Sequence, residues 1–242
     1  MINNEKAVIF DLDGTLIDTM SSFSAMVIKK LKQRGIKNIK VLTKKLEDAL
    51  SDDSQSIPSG PSITLIPKIF WKIGRNAGLT RYQALFFTID CVTKARDIYN
   101  NAPLFSDVKD SLFRLKSAGY SLGIYTLASR RQLNMILTKH NIAHFFNPNS
   151  IISRNDVKKT KPDPEGVLLA FNGCSVIPHY GIYIGDMPSD IIAGNRAGAI
   201  TIGVTTGLFN SQTLNQLCQP NIIFESLGEA SNWILDSFLL KN

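Results

Sequence analysis

Residues 7–16 read AVIFDLDGTL, and the interpretation of the whole chain begins with this stretch. The four apolar residues at 7–10 form a short continuous run, which predicts a strand buried on both faces. Asp11 and Asp13 then stand where the strand ends, and open α/β sheets bind ligands at the carboxyl ends of their strands. Two neighbouring acids repel each other unless a cation lies between them, so the pair favours a divalent metal site with oxygen ligands.

Length and composition indicate a globular protein. The chain has 242 residues, of which 44% are hydrophobic, enough for one large domain or a domain with a smaller companion. Its first ten residues, MINNEKAVIF, lack a signal-peptide pattern, and no apolar run approaches the roughly 18 residues of a membrane helix. The three cysteines show no CxxC spacing and form no ligand cluster with the three histidines. We therefore expect reduced cysteines, no zinc site, no membrane partner and a cytoplasmic location.

The positive charge of the chain is unevenly distributed. The net charge is +7, yet residues 19–100 contain 14 Lys and Arg against 6 Asp and Glu, whereas the remainder has 13 against 14. Such asymmetry can indicate an anionic partner. A solvated basic surface without a partner is an equally good interpretation.

The periodicity of residues 19–100 predicts helices and no strand. Phe23, Met26, Val27 and Leu31 recur at helical spacing, and Thr80 is a suitable helix N-cap. The other elements predicted in this range are helices over 42–50, 64–77 and 80–99, with a polar loop over 51–62.

From about residue 103 onward, strands and helices alternate. This alternation predicts an α/β fold, a Rossmann-like and mostly parallel sheet with helices on both faces. The strands predicted after 7–10 cover 120–125, 151–152, 180–184, 199–204 and 221–224.

Three further motifs follow in this second part of the chain. The strand SLGIYT ends at Thr126, and the segment 161–164 reads KPDP. The stretch 182–191 reads IYIGDMPSDI, which sets Asp186 directly after an apolar strand and Asp190 one helical turn later. Each motif taken alone is also compatible with an ordinary strand end or helix start.

In this order, the four motifs resemble those of the haloacid dehalogenase-like (HAD) hydrolases, in the helical-cap phosphatase branch that resembles phosphoglycolate phosphatase. The resemblance implies a catalytic core formed by residues 1–18 and 101–242. It also implies a helical cap domain over residues 19–100.

The resemblance implies catalytic roles for Asp11, Asp13 and Lys161, and a substrate-binding role for Thr126 and Lys161. Asp11 is the nucleophile that forms an aspartyl-phosphate, and Asp13 is the general acid and base. Lys161 neutralises charge on the nucleophile and the phosphate, and both Lys161 and Thr126 bind the phosphoryl group. Many relatives have Thr-Asn where this chain has Thr126-Leu127, so no second side-chain contact is expected there.

The resemblance also implies a Mg²⁺ site. Asp11, Asp186 and the backbone carbonyl of Asp13 are the expected direct ligands, and Asp190 is an auxiliary ligand or lies just behind them.

Asp13 also helps to choose among the activities of the family. The dehalogenase branch lacks a second acid in its first motif, so the presence of Asp13 favours phosphoryl transfer. A phosphomutase of the β-phosphoglucomutase type remains open. A non-catalytic anion or nucleic-acid binding protein is a further alternative, although the intact catalytic residues argue against it. The basic region also lacks the interleaved aromatic residues of a single-strand binding groove.

The expected partner is a small phosphorylated metabolite, and the expected assembly is a monomer or a small homo-oligomer. Phosphoglycolate, sugar phosphates, nucleotides and pyrophosphate are all substrates of relatives with helical caps. Arg75 and Arg81 are the candidates for binding a second anionic group of the substrate, because guanidinium pairs well with carboxylate or phosphate. The alternative interpretation is that both are solvated surface residues.

Overall fold

A computed structural model describes residues 6–36 and 65–239 of the chain. The predicted helix over 42–50 and the loop over 51–62 lie outside these residues. Contacts divide the chain into two compact units: unit 1 comprises Met1–Asp18 and Pro103–Asn242, and unit 2 comprises Thr19–Ala102. No helix in the described part of the chain is both long enough and apolar enough to cross a membrane.

The elements of both units are as follows. The strands are β1 (Ala7–Phe10), β2 (Ser121–Tyr125), β3 (Ile151–Ile152), β4 (Gly181–Gly185), β5 (Ile200–Val204) and β6 (Ile222–Phe224). The described helices are α1 (Thr19–Lys32), α2 (Leu65–Asn76), α3 (Arg81–Asn101), α4 (Val108–Ser117), α5 (Arg130–His140), α6 (Glu165–Gly173), α7 (Pro188–Ala197), α8 (Ser211–Cys218) and α9 (Leu227–Leu239).

The strands of unit 1 form a six-stranded sheet in the order β3-β2-β1-β4-β5-β6, and each neighbouring pair is parallel. The predicted parallel α/β fold is therefore confirmed. The strand β1 lies between β2 and β4, and all four of its residues are fully buried. Its apolar sequence follows from this central position, because a parallel strand is covered on both faces.

Successive side chains of each strand point to opposite faces of the sheet, so the sheet carries an apolar layer on each face. Ile9, Tyr125 and Tyr183 belong to one buried cluster together with Val167 and Phe171 of α6. Phe10 points to the opposite face because successive strand residues alternate, and its ring meets that of Phe146 at a centroid distance of 6.3 Å.

Unit 2 has an apolar core of its own. Its buried residues come from α1, α2, α3 and the turn before α3, and they include Leu31, Phe70, Leu79, Phe87 and Cys91. As predicted, Thr80 is the N-cap of α3: its hydroxyl accepts a hydrogen bond from the backbone N–H of Gln83, whose side chain accepts one from Thr80 N–H. This reciprocal arrangement satisfies two backbone donors at the start of the helix.

The helix α8 was missed by the sequence interpretation. It spans only eight residues, SQTLNQLC, and Leu214 and Cys218 are its only buried residues. Asn210 caps it by accepting a hydrogen bond from the backbone N–H of Thr213. The signal was an asparagine before a short amphipathic stretch, and an apolar pattern over two turns is too brief to separate a helix from a loop.

The two arginines proposed as anion ligands differ in their surroundings. Arg75 donates a hydrogen bond from Nη1 to the Leu79 carbonyl at 2.6 Å, which ties the end of α2 to the turn before α3. Arg81 is the first residue of α3 and is exposed. Arg75 therefore has a structural role within unit 2, independent of any anion.

We expect Arg75→Ala to lower the free energy of unfolding by about 1 kcal/mol, the typical value of a hydrogen bond. The matched Arg81→Ala variant should stay within about 0.5 kcal/mol of the wild type, because Arg81 is exposed, as Arg75 is, but makes no side-chain hydrogen bond within the described residues. Urea denaturation of both variants measures the difference. Equal unfolding free energies for the two would contradict a structural role of Arg75.

Candidate active site

The parallel register brings the sequence motifs to one edge of the sheet. Phe10 of β1 pairs with Ile124 of β2 and with Ile184 of β4. Asp11, Thr126 and Asp186 follow these paired residues by one or two positions, so all three lie at the carboxyl edge. The backbone N–H of Asp11 donates to the Ile184 carbonyl at 2.8 Å and extends the pairing to the acid itself.

Lys161 enters this edge from the loop before α6. Its Nζ lies 2.5 Å from Asp11 Oδ1 and 2.7 Å from Asp190 Oδ1. Only 1% of the lysine is exposed. A buried ammonium is stable only when it is paired, and here two carboxylates provide the pairing.

Asp190 is held by more than the lysine. Its Oδ2 accepts a hydrogen bond from the backbone N–H of Met187 at 3.0 Å, which satisfies a donor at the start of α7. The hydroxyl of Tyr183 lies 3.5 Å from Asp190 Oδ1. Both carboxylate oxygens of Asp190 therefore have protein partners.

The side chain of Asp186 packs closely against backbone on two sides. The Thr15 hydroxyl donates to its Oδ1 at 3.4 Å. Gly14 has a φ of +77°, and a Cβ built there would lie 2.4 Å from Asp186 Oδ2. A Cβ on Gly207 would lie only 1.8 Å from the same oxygen. Glycine is therefore needed on both sides of this carboxylate.

The remaining two predicted residues also lie on the segments that form this edge. Thr126 is fully buried, and its hydroxyl oxygen accepts a hydrogen bond from the Ala128 N–H at 3.0 Å. Asp13 is half-buried, and its backbone forms an isolated β-bridge with that of Ile17 in the turn that follows β1. The backbone N–H of Gly14 donates to the Ile17 carbonyl and closes the same turn.

The ionisable groups influence one another strongly. Burial raises the pKa of Asp11 to about 8; Lys161 opposes this rise, and Asp190 and Asp13 add to it. Burial, reinforced by Asp190 and Asp11, raises the pKa of Asp186 well above its usual range. Burial alone would lower the pKa of Lys161, but Asp11 and Asp190 outweigh it and raise that pKa. One ammonium is thus too little positive charge to keep the neighbouring acids ionised together.

A metal ion would supply the missing positive charge. Oxygens of Asp11, Asp186 and Asp190 all lie within 4.8 Å of one another, and the three residues are the one group of potential metal ligands within residues 6–36 and 65–239. Carboxylate oxygens are ligands that Mg²⁺ prefers. The donor set is therefore suited to a hard divalent cation.

Comparison with known proteins agrees with this geometry. The family model described as haloacid dehalogenase-like hydrolase matches residues 8–204. The chain belongs to the haloacid dehalogenase-like hydrolases. The pyrophosphatase PpaX of Bacillus velezensis is 31% identical to this hydrolase, and the match covers 92% of this hydrolase and 93% of PpaX.

Two other relatives extend the comparison. The phosphoglycolate phosphatase of Salmonella typhimurium is 26% identical, over 94% of this hydrolase and 92% of the relative. The crystal structure of a HAD family hydrolase from Deinococcus radiodurans has a TM-score of 0.73 at 18% identity, covering 98% and 97% of the two chains. The structural likeness supports the fold assignment.

Sequence interpretation missed four neighbours of the site in this hydrolase. Thr15 and Gly207 contact or crowd Asp186, and Tyr125 and Tyr183 lie beside Lys161. The two tyrosines precede Thr126 and Asp186 by one and three residues, and in the sequence they resemble ordinary strand residues.

We expect the metal-free Asp186→Asn variant to melt above the metal-free wild type at pH 7.5. The raised pKa of Asp186 means that the folded state disfavours its ionised form, so this residue costs stability as pH rises above its usual range. An amide of the same shape removes that cost.

Magnesium should stabilise the wild type more than the variant. At 100 times its dissociation constant, Mg²⁺ should stabilise the wild type by about 2.7 kcal/mol and the variant far less. Differential scanning calorimetry with and without Mg²⁺ measures both effects. A Mg²⁺-induced shift of equal size in the two proteins would mean that Asp186 is not a ligand.

Proposed function

We propose that this hydrolase is a Mg²⁺-dependent phosphatase that cleaves a small phosphate monoester through an aspartyl-phosphate on Asp11. The observation that carries the proposal is the position of Asp11 at the end of β1, 2.5 Å from the Lys161 ammonium and within 4.8 Å of two further carboxylates. A nucleophilic carboxylate needs nearby positive charge before an anionic phosphate can approach it.

Asp11, Asp186 and the Asp13 backbone carbonyl would hold Mg²⁺ in this proposal. When bound, the ion offsets the negative charge of the phosphate and of the carboxylates around it. The hydrogen bonds that Asp190 accepts from Lys161 and Met187 favour a role in holding the lysine, with an auxiliary contact to the metal. Metal binding and lysine positioning would then share one cluster of acids.

The chain's own groups carry each covalent step. A carboxylate oxygen of Asp11 attacks phosphorus while the bond to the leaving oxygen breaks, and Asp13 gives that oxygen a proton. Asp13 then takes a proton from the water that attacks the aspartyl-phosphate, which releases inorganic phosphate and restores Asp11. Lys161 and the Thr126 hydroxyl bind the phosphoryl oxygens throughout.

The substrate class follows from the charge of the chain and the names of its relatives. Pyrophosphate and phosphoglycolate, the compounds in those names, are small and carry a second anionic group. Residues 19–100 contain 14 basic against 6 acidic residues, which supports a substrate of this kind. The cytoplasmic location and the monomeric or small homo-oligomeric state remain predictions from the sequence.

A panel of phosphate monoesters, with pyrophosphate included, tests the proposal by release of inorganic phosphate in the presence of Mg²⁺. We expect Asp11→Asn to lose at least about 10³-fold in kcat, since an amide is a poor nucleophile. Substantial turnover by a variant free of deamidation would rule out the covalent mechanism. Conversion of a sugar phosphate to its isomer without phosphate release would instead identify a phosphomutase.

Asp13→Asn should discriminate between leaving groups. An alkoxide leaving group needs a proton, whereas a nitrophenolate does not. We therefore expect the rate of bond cleavage to fall about 100-fold or more on an alkyl phosphate. On p-nitrophenyl phosphate the rate of the same step should fall much less. Pre-steady-state release of nitrophenol isolates that step. Equal losses on both substrates would exclude Asp13 as the acid.

A further inference from the structure

Two tyrosine rings enclose the ammonium of Lys161 on the side of the apolar layer. The Lys161 Nζ lies over the ring of Tyr125 at 4.8 Å from its centroid and over the ring of Tyr183 at 5.5 Å. Both distances fall within the roughly 6 Å range of cation–π attraction. Both tyrosines are fully buried, so no water competes for the ammonium from that side.

The sheet register dictates this enclosure. Ile9 of β1 pairs with Gly123 of β2 and with Tyr183 of β4. Tyr125 lies two residues after Gly123 and therefore points to the same face as Tyr183 and Ile9. Asp11, two residues after Ile9, continues this row at the strand end. The two rings thus flank the strand that carries the proposed nucleophile.

Neighbouring residues hold the rings in place. A Cβ on Gly166 would lie 2.2 Å from Cζ of Tyr125, so the helix α6 can approach this ring only because residue 166 is glycine. The Tyr183 hydroxyl lies 3.5 Å from both Asp190 Oδ1 and the Tyr125 carbonyl oxygen. Tyr183 therefore reaches the second acid that holds the lysine.

We propose that Tyr125 and Tyr183 are positioning residues that hold the Lys161 ammonium between Asp11 and Asp190 for phosphoryl transfer. The two carboxylates supply the negative charge that attracts the ammonium. The ring faces limit the positions that the ammonium can take, because the lysine side chain that carries it is long and flexible. The catalytic part of this inference rests on the proposed phosphatase function. The enclosure itself does not depend on that function.

The sharpest test changes the negative charge on the face of the Tyr125 ring while keeping its shape. Tyr125→Phe keeps the aromatic face and should leave kcat on p-nitrophenyl phosphate within about twofold of the wild type. Tyr125→3,4,5-trifluorophenylalanine keeps nearly the same shape but weakens the negative face of the ring. We expect it to lower kcat about fivefold relative to Tyr125→Phe, with little change in KM or melting temperature.

Phe171→Leu is the matched packing control. Phe171 belongs to the same buried cluster, but its ring packs on Gly181 at the opposite end of β4 from Asp186. Tyr125→Leu and Phe171→Leu should both lower the melting temperature, because each leaves a cavity. Only Tyr125→Leu should also lower kcat, by about tenfold.

NMR of the metal-free protein gives a readout that needs no turnover. The Lys161 ammonium, assigned with Lys161→Met, should give a protected ¹H–¹⁵N signal shifted upfield by the ring currents. Tyr125→Leu should move that signal downfield, whereas Phe171→Leu should leave it in place.

Each outcome decides a different part of the inference. An ammonium signal that does not respond to Tyr125→Leu would overturn the enclosure, whatever the activity. The second case is an ammonium signal that responds to Tyr125→Leu, together with a trifluorophenylalanine variant whose kcat equals that of Tyr125→Phe. That result would overturn the positioning role. If the wild type releases no phosphate from any substrate of the panel, the proposed function and the catalytic role fail together, and the NMR result still reports on the enclosure.

Discussion

Two buried carboxylates, Asp11 and Asp190, share one buried ammonium at the carboxyl edge of the sheet, and a third, Asp186, has an oxygen within 4.8 Å of oxygens of both. The features of the site depend on this imbalance between acids and base. Asp11 and Asp190 both pair with Lys161, while Asp186 is held by Thr15 and by close backbone packing. Burial and mutual repulsion raise the pKa values of Asp11 and Asp186. A divalent cation held by these oxygens would relieve that repulsion.

The sheet makes this cluster possible by separating apolar from polar groups along each strand. Its central strand β1 is fully buried, and the acids begin only after its last paired residue. Beneath them lies a layer of apolar and aromatic side chains that excludes water. Electrostatic interactions strengthen in such surroundings, so the same packing that stabilises the fold increases the effect of each charge at its edge.

The two units of the chain differ in what they contribute. All six residues predicted for catalysis, phosphate binding and metal binding belong to unit 1, whereas the excess of basic residues falls within unit 2. The chemistry of the family therefore follows from four short motifs. Arg81, the exposed candidate for binding a second anionic group, lies outside these motifs.

The sequence by itself determined the family and the parallel sheet, and it predicted the residues of the site. Apolar runs ending in Asp11, Thr126 and Asp186 are local patterns, and parallel strands necessarily bring their carboxyl ends to one edge. Tertiary structure alone decided that Asp190 pairs with Lys161, that Gly207 crowds Asp186 and that two tyrosines enclose the ammonium. These contacts join residues of different segments, and they depend on strand register and side-chain direction, neither of which a single stretch of sequence encodes.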